Sequence, residues 1–89
     1  DYNLIRHNPK ILIGYSDITA LLLAIYVQTG LVTFHGPVGI SNWTPFSQQY
    51  FRQVLFESKA VLMRNTSSTQ VQTIVPGRAR GRLIGGNLS

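Results

Sequence analysis

Cysteine is absent from the chain. Disulfides and thiolate metal sites are therefore excluded, and the composition fits a reducing compartment. Acidic residues are scarce as well: Asp1, Asp17 and Glu57 are the only three. No His/Asp/Glu group has metal-ligand spacing. Long apolar runs are missing. The longest, Ala20 to Val27, is far short of the roughly 20 residues that span a bilayer. No secretory signal is visible. The nucleotide fingerprints G-x-x-x-x-G-K-[ST] and G-x-G-x-x-G are absent, and Gly85-Gly86 forms neither.

What is present is an ordinary globular composition, 44% hydrophobic, in 89 residues. That length suits one small domain and not two. Only 12% of residues are charged, so the chain is expected to bury faces against something beyond itself. It starts at Asp1 without Met, in what reads as a helix, and stops just past a Gly-Gly-Asn-Leu segment. We therefore expect an internal piece of a longer protein. The net charge of +5 and pI near 10.3 would suggest nucleic acid or an anionic surface as partner in a whole protein. In a piece of one they carry less weight.

Ile11-Leu12-Ile13-Gly14-Tyr15-Ser16-Asp17-Ile18-Thr19 organises the rest. Ile11–Gly14 reads as a short strand, buried on both faces if the sheet is parallel. A helix is expected from Asp17 to Thr29, with Asp17 suited to the first turn and Gly30 to the C-terminal cap. It is apolar almost all round, as a buried helix is. Leu31 to Phe34 is a second β-prone run. Strand, helix and strand in about 25 residues predict a βαβ unit with parallel strands, and hence an α/β layered domain.

Ser16 thus sits on a sharp strand-to-helix turn, where α/β hydrolases place a nucleophile. A small residue before the serine suits so tight a turn, and the following N–H can face a developing oxyanion. The usual elbow is G-x-S-x-G, and here Ile18 replaces the second glycine. The alternative is an ordinary βα turn in which Ser16 caps the helix. His35, after the second strand, lies on the same sheet edge by topology. Residue order alone would nominate Ser16–His35, with Asp17 or Glu57 as orienter. His7 falls at the far end of the first strand.

Gly14-Tyr15-Ser16-Asp17-Ile18-Thr19-Ala20-Leu21 resembles the nucleophile segment of the LD-carboxypeptidases, the serine peptidase family that includes muramoyltetrapeptide carboxypeptidases and microcin C immunity peptidases. Asn8-Pro9-Lys10, Thr29 to Pro37 and Gly81 to Leu88 agree in order. The resemblance implies a flavodoxin-like parallel-sheet domain portion over residues 1–64. Residues 65–89 would form a linker and the start of a second domain. It implies Ser16 as nucleophile and the Asp17 N–H as an oxyanion-hole donor, with Gly14, Tyr15 and His35 at the substrate site. Gly14 and Tyr15 shape the turn, though Tyr15 can equally be a core residue. The catalytic glutamate and histidine would come from a C-terminal domain beyond Ser89, leaving His35 a site-edge or structural residue bonded to backbone near Gly36. The isolated 89 residues would then be inactive. The implied activity is D-alanine release from a murein tetrapeptide during cytoplasmic cell-wall recycling, without cofactor, metal or membrane, and a homodimer is allowed. A peptidyl-nucleotide hydrolase of the same family is the near alternative, and a basic nucleic-acid-binding module the distant one.

Farther on, Thr44-Pro45 marks a helix start, and Phe46, Tyr50 and Val54 give it an apolar stripe to about Glu57. Trp43 and Phe46 either line a cleft or pack. Ala60–Met63 and Gln70–Val75 are β-prone, and Asn65–Thr69 is a polar turn. Arg78, Arg80 and Arg82 alternate, placing three guanidinium groups on one face of an extended segment. They form an anion site or, more simply, a solvated face.

Overall fold

The computed structural model describes residues 1–66 and 70–88. The chain divides into two compact units, Asp1–Asn42 with Ile84–Ser89, and Trp43–Leu83.

The first unit carries α1 (Tyr2–His7), β1 (Ile13–Gly14), α2 (Ile18–Thr29) and β2 (Phe34–His35). The Asp1 carboxylate caps α1, accepting from the N–H groups of Asn3 at 2.9 Å and Leu4 at 3.3 Å. Such a cap satisfies donors that the first turn leaves orphaned. The helix stops before Pro9, as the restriction on residues preceding proline requires. At its other end, the Arg6 guanidinium donates to the carbonyl of Gln28 in the last turn of α2. A cation there complements the α2 dipole.

β1 and β2 are parallel, pairing Ile13 with Phe34 and Gly14 with His35. The ladder extends through Phe34 N–H to Leu12 carbonyl at 2.9 Å and Gly36 N–H to Gly14 carbonyl at 3.0 Å. The first strand is shorter than expected, and Ile11 is 64% exposed rather than buried. The second is shifted forward to include His35. A strand lasts only while a neighbour's N–H and C=O groups face it, and among the described residues each strand here has one neighbour.

α2 ends at Gly30, whose φ of 76° places it in the left-handed region, with its N–H donating to the Tyr26 carbonyl at 2.8 Å. Glycine adopts that conformation without a Cβ clash. The helix buries Thr19, Leu22 and Ile25, a stripe at three-residue spacing. Leu23, Ala24 and Tyr26 are half-buried, whereas Ile18, Leu21 and Val27 lie exposed. An apolar circumference is therefore present, but this unit covers one side of it.

The second unit is built on α3 (Pro45–Leu55). The Thr44 hydroxyl accepts from the Ser47 N–H at 3.1 Å, and Pro45 occupies the first turn. The helix ends two residues before Glu57, because the Phe56 and Glu57 N–H groups converge on the Arg52 carbonyl. Trp43 stands edge-on to Phe51 with centroids 4.8 Å apart, and Phe46 packs on Tyr50 at 4.7 Å. These aromatics make the packing contacts of the unit, which favours packing over a cleft. The Tyr50 hydroxyl donates to the Leu62 carbonyl at 3.2 Å. Neither Ala60–Met63 nor Gln70–Val75 forms a strand among the described residues. Leu62, Met63, Ile74 and Val75 are all exposed. β-propensity expresses a fit to a neighbouring strand, and among the described residues no strand pairs with them. Part of the Asn65–Thr69 turn lies outside the described residues.

Candidate active site

Ser16 has φ of 59°, left-handed for a residue with a Cβ. Such a conformation is uncommon outside glycine and asparagine and carries a backbone cost. It reverses the chain at the end of β1 and starts α2 two residues later. The first turn of α2 closes by short-range bonds, Thr19 N–H to Ser16 carbonyl and Ala20 N–H to Asp17 carbonyl, both 3.0 Å. Neither the Asp17 N–H, the Ile18 N–H nor the Ser16 hydroxyl has a hydrogen-bond partner among the described residues. These groups lie at the positive end of a helix.

Ser16 does not cap the helix through its side chain. Nor does the Asp17 carboxylate, which makes no capping bond although Asp17 occupies the cap position. Asp17 already has helical dihedrals, φ −65° and ψ −22°, whereas a capping carboxylate needs an extended backbone to reach back to the second or third N–H.

Gly14 is buried against this turn. A Cβ there would overlap Ile18 Cγ2 and lie 3.1 Å from Ile18 Cβ. The glycine is needed for close approach of helix to strand, and the residue that approaches is the one standing where the elbow pattern has its second glycine. Tyr15 is 43% exposed, so it is not a core residue.

His35 Nδ1 lies 3.2 Å from Thr19 Oγ1. The expected bond from its ring to backbone near Gly36 is not what holds it. Gly14 and His35 occupy paired positions on the same face of the sheet, the face that α2 covers, so the ring meets the helix and not its own loop. His7 is engaged in α1, its Nδ1 2.7 Å from the Asn3 carbonyl. Motif and spacing do not single out Thr19. The signal was there: it is the one polar residue in the run Ile18 to Ile25. Among the described residues no cluster of three metal-ligating side chains occurs, and no helix is long and apolar enough to cross a membrane.

Residues 1–36 match a family model described as the LD-carboxypeptidase N-terminal domain. The whole chain aligns at 44% identity with the probable murein peptide carboxypeptidase of Bacillus subtilis (strain 168). The chain belongs to the LD-carboxypeptidase family. It spans 29% of that relative's length. It is also 60% identical over 43 residues to the microcin C7 self-immunity protein MccF of Escherichia coli, covering 48% of this chain and 12% of that protein. Among solved structures, an MccF-like protein from Bacillus anthracis str. Ames superposes with a TM-score of 0.56 at 52% identity, over 62% of this chain and 18% of that one. The helices and the parallel strand pair of this chain are compatible with the α/β class. In this LD-carboxypeptidase chain, the family match covers α1, β1, the Ser16 turn, α2, β2 and the start of the following loop.

Proposed function

We propose that the protein carrying this chain is a serine carboxypeptidase that cleaves the amide between an L-configured centre and a terminal D-amino acid, releasing D-alanine from a murein tetrapeptide. The observation that carries this reading is the left-handed Ser16 at the start of α2, where neither its hydroxyl nor the Asp17 N–H has a hydrogen-bond partner among the described residues. The name of the Bacillus subtilis relative supports the murein peptide as substrate.

In this reading the Ser16 Oγ attacks the amide carbonyl carbon as a base removes its proton. The carbonyl oxygen becomes an oxyanion facing the Asp17 N–H. The C–N bond then breaks, the D-alanine nitrogen takes up a proton, and an ester to Ser16 remains. Water hydrolyses that ester and restores the hydroxyl. The glutamate and histidine that move the proton belong to a second domain, entered through residues 65–89. Gly14 sets the turn, Tyr15 borders the substrate, and His35 stands at the site edge as a structural residue. A flavodoxin-like sheet, cytoplasmic cell-wall recycling and a homodimer complete the proposal.

The likeness to the microcin self-immunity protein favours a second substrate class, a peptidyl-nucleotide cleaved at its amide by the same serine. The test is D-alanine release from L-Ala-γ-D-Glu-meso-diaminopimelyl-D-Ala by the full-length protein, beside Ser16→Ala. Release that disappears in the variant supports the proposal. Release that survives removes Ser16 from the mechanism. Inactivity on murein peptide with Ser16-dependent cleavage of a peptidyl-nucleotide selects the second substrate.

A further inference from the structure

The hydrogen bond between Thr19 and His35 plays no part in the steps above. Thr19 is 4% exposed. Its N–H donates to the Ser16 carbonyl at 3.0 Å, and its Oγ1 lies 3.2 Å from His35 Nδ1. One buried residue therefore joins the backbone of the left-handed serine to the end of β2. A second tie lies beside it: the Thr33 hydroxyl donates to the Leu22 carbonyl at 3.2 Å. Residues 33 and 35 share a strand face, and residues 19 and 22 are neighbours on a helix face. The first two turns of α2 are thus tied to β2 and to the residue before it by the Thr19 and Thr33 side chains, within a run, Ile18 to Ile25, whose other residues are apolar.

Packing alone does not call for this arrangement. A buried hydroxyl costs free energy unless it is hydrogen-bonded, and valine has nearly the same shape without that requirement. What the pair supplies is direction. A hydrogen bond fixes distance and angle, whereas apolar contact is non-directional.

We propose that Thr19 and His35 form a positioning pair for the Ser16 nucleophile, an inference that rests on reading Ser16 as that nucleophile. His35 acts through Nδ1 on the Thr19 hydroxyl. Thr19 acts through its backbone on Ser16 and on the amides of Asp17 and Ile18. The pair holds the serine hydroxyl and the oxyanion donor in register, and an ångström of slack there would misplace both. His35 is in this role a positioning residue and not the base.

The test uses the full-length protein and five variants: Thr19→Val, Thr19→Ser, His35→Asn, His35→Gln and Ser16→Ala. The asparagine amide stands near the place of Nδ1, and the glutamine amide near that of Nε2. Steady-state kinetics, thermal midpoint and the rate at which a fluorophosphonate labels Ser16 are measured together. Thr19→Val and His35→Gln are expected to lower kcat roughly 10- to 100-fold with KM unchanged, the scale of an ångström-level misplacement. Labelling should slow in parallel, while Thr19→Ser and His35→Asn keep most of the activity. Wild-type kcat in Thr19→Val overturns the proposal. So does retention by His35→Gln with loss and a raised KM in His35→Asn, which would mean substrate contact through Nε2. Losses that merely follow the folded fraction across all four variants also overturn it. Should Thr19→Val fail to fold, the two His35 variants decide alone. Activity persisting in Ser16→Ala rejects the serine reading itself, a result distinct from the others.

Discussion

The space that a Cβ on Gly14 would need is occupied by the side chain of Ile18. This relationship joins β1 to the first turn of α2 and sets how tightly the chain folds back around Ser16. Gly14→Ala is expected to destabilise the full-length protein by about 1–3 kcal/mol, the usual cost of overpacking, and to lower activity by moving the turn. Ile18→Ala removes Cγ2 but leaves its Cβ 3.1 Å from the new methyl. The double variant should therefore recover part of the lost stability. Denaturant melts of the two single variants and the double variant check this as a cycle.

Ser16 holds a conformation that a side chain disfavours. Both Ser16→Ala and Ser16→Gly should be inactive. They should differ in stability, with glycine the more stable by roughly 1 kcal/mol, because only alanine keeps a Cβ in the left-handed region. Equal midpoints for the two would show that the turn relaxes when the hydroxyl is gone.

Leu22 is 3% exposed and lies between Thr19 and Ile25 on the buried stripe of α2. Leu22→Ala is expected to cost about 2–5 kcal/mol through lost burial and a residual cavity. The measurement is the shift in unfolding free energy of the full-length protein. A shift within about 0.5 kcal/mol, the scale of surface substitutions, would remove Leu22 from the core.

Glu57 accepts from Lys59 Nζ at 2.6 Å and from Arg52 Nε at 3.1 Å. The Lys59 hydrogen bond, followed by Coulombic attraction to Lys59 and by Arg52, holds its carboxyl below the ordinary value near 4.5 despite some desolvation. A carboxylate whose folded pKa is depressed contributes stability above its unfolded pKa and loses it as pH falls through the folded one. The difference in stability between wild type and Glu57→Gln should therefore shrink from about pH 4.5 downwards. The group is exposed, so the difference should be small and should fade in high salt.

Much of this arrangement is legible in residue order. Gly14, the apolar run from Ile18 and Gly30 mark a strand, a helix and its end, because glycine and side-chain periodicity act locally. Thr44-Pro45 marks the start of α3 for the same reason. The parallel pairing follows from a helix lying between two short β-prone runs. Ala60–Met63 and Gln70–Val75 show where the reading stops. Their propensity is that of strands, yet a strand exists only beside another, and neighbours are not a local property.

The site divides along the same line. A serine after a glycine and before a helix is determined by the sequence, since the turn needs a small residue and the helix supplies oriented amides. That Ile18 fills the space a Gly14 side chain would need, that Ser16 takes φ of 59° and that His35 bonds Thr19 were decided by tertiary structure. Residues 14 and 35 become neighbours only when β1 and β2 pair, and that pairing brings the His35 ring to the face that α2 covers. Sequence sets what each segment can be. Long-range packing sets which side chains meet, because it depends on groups far apart along the chain.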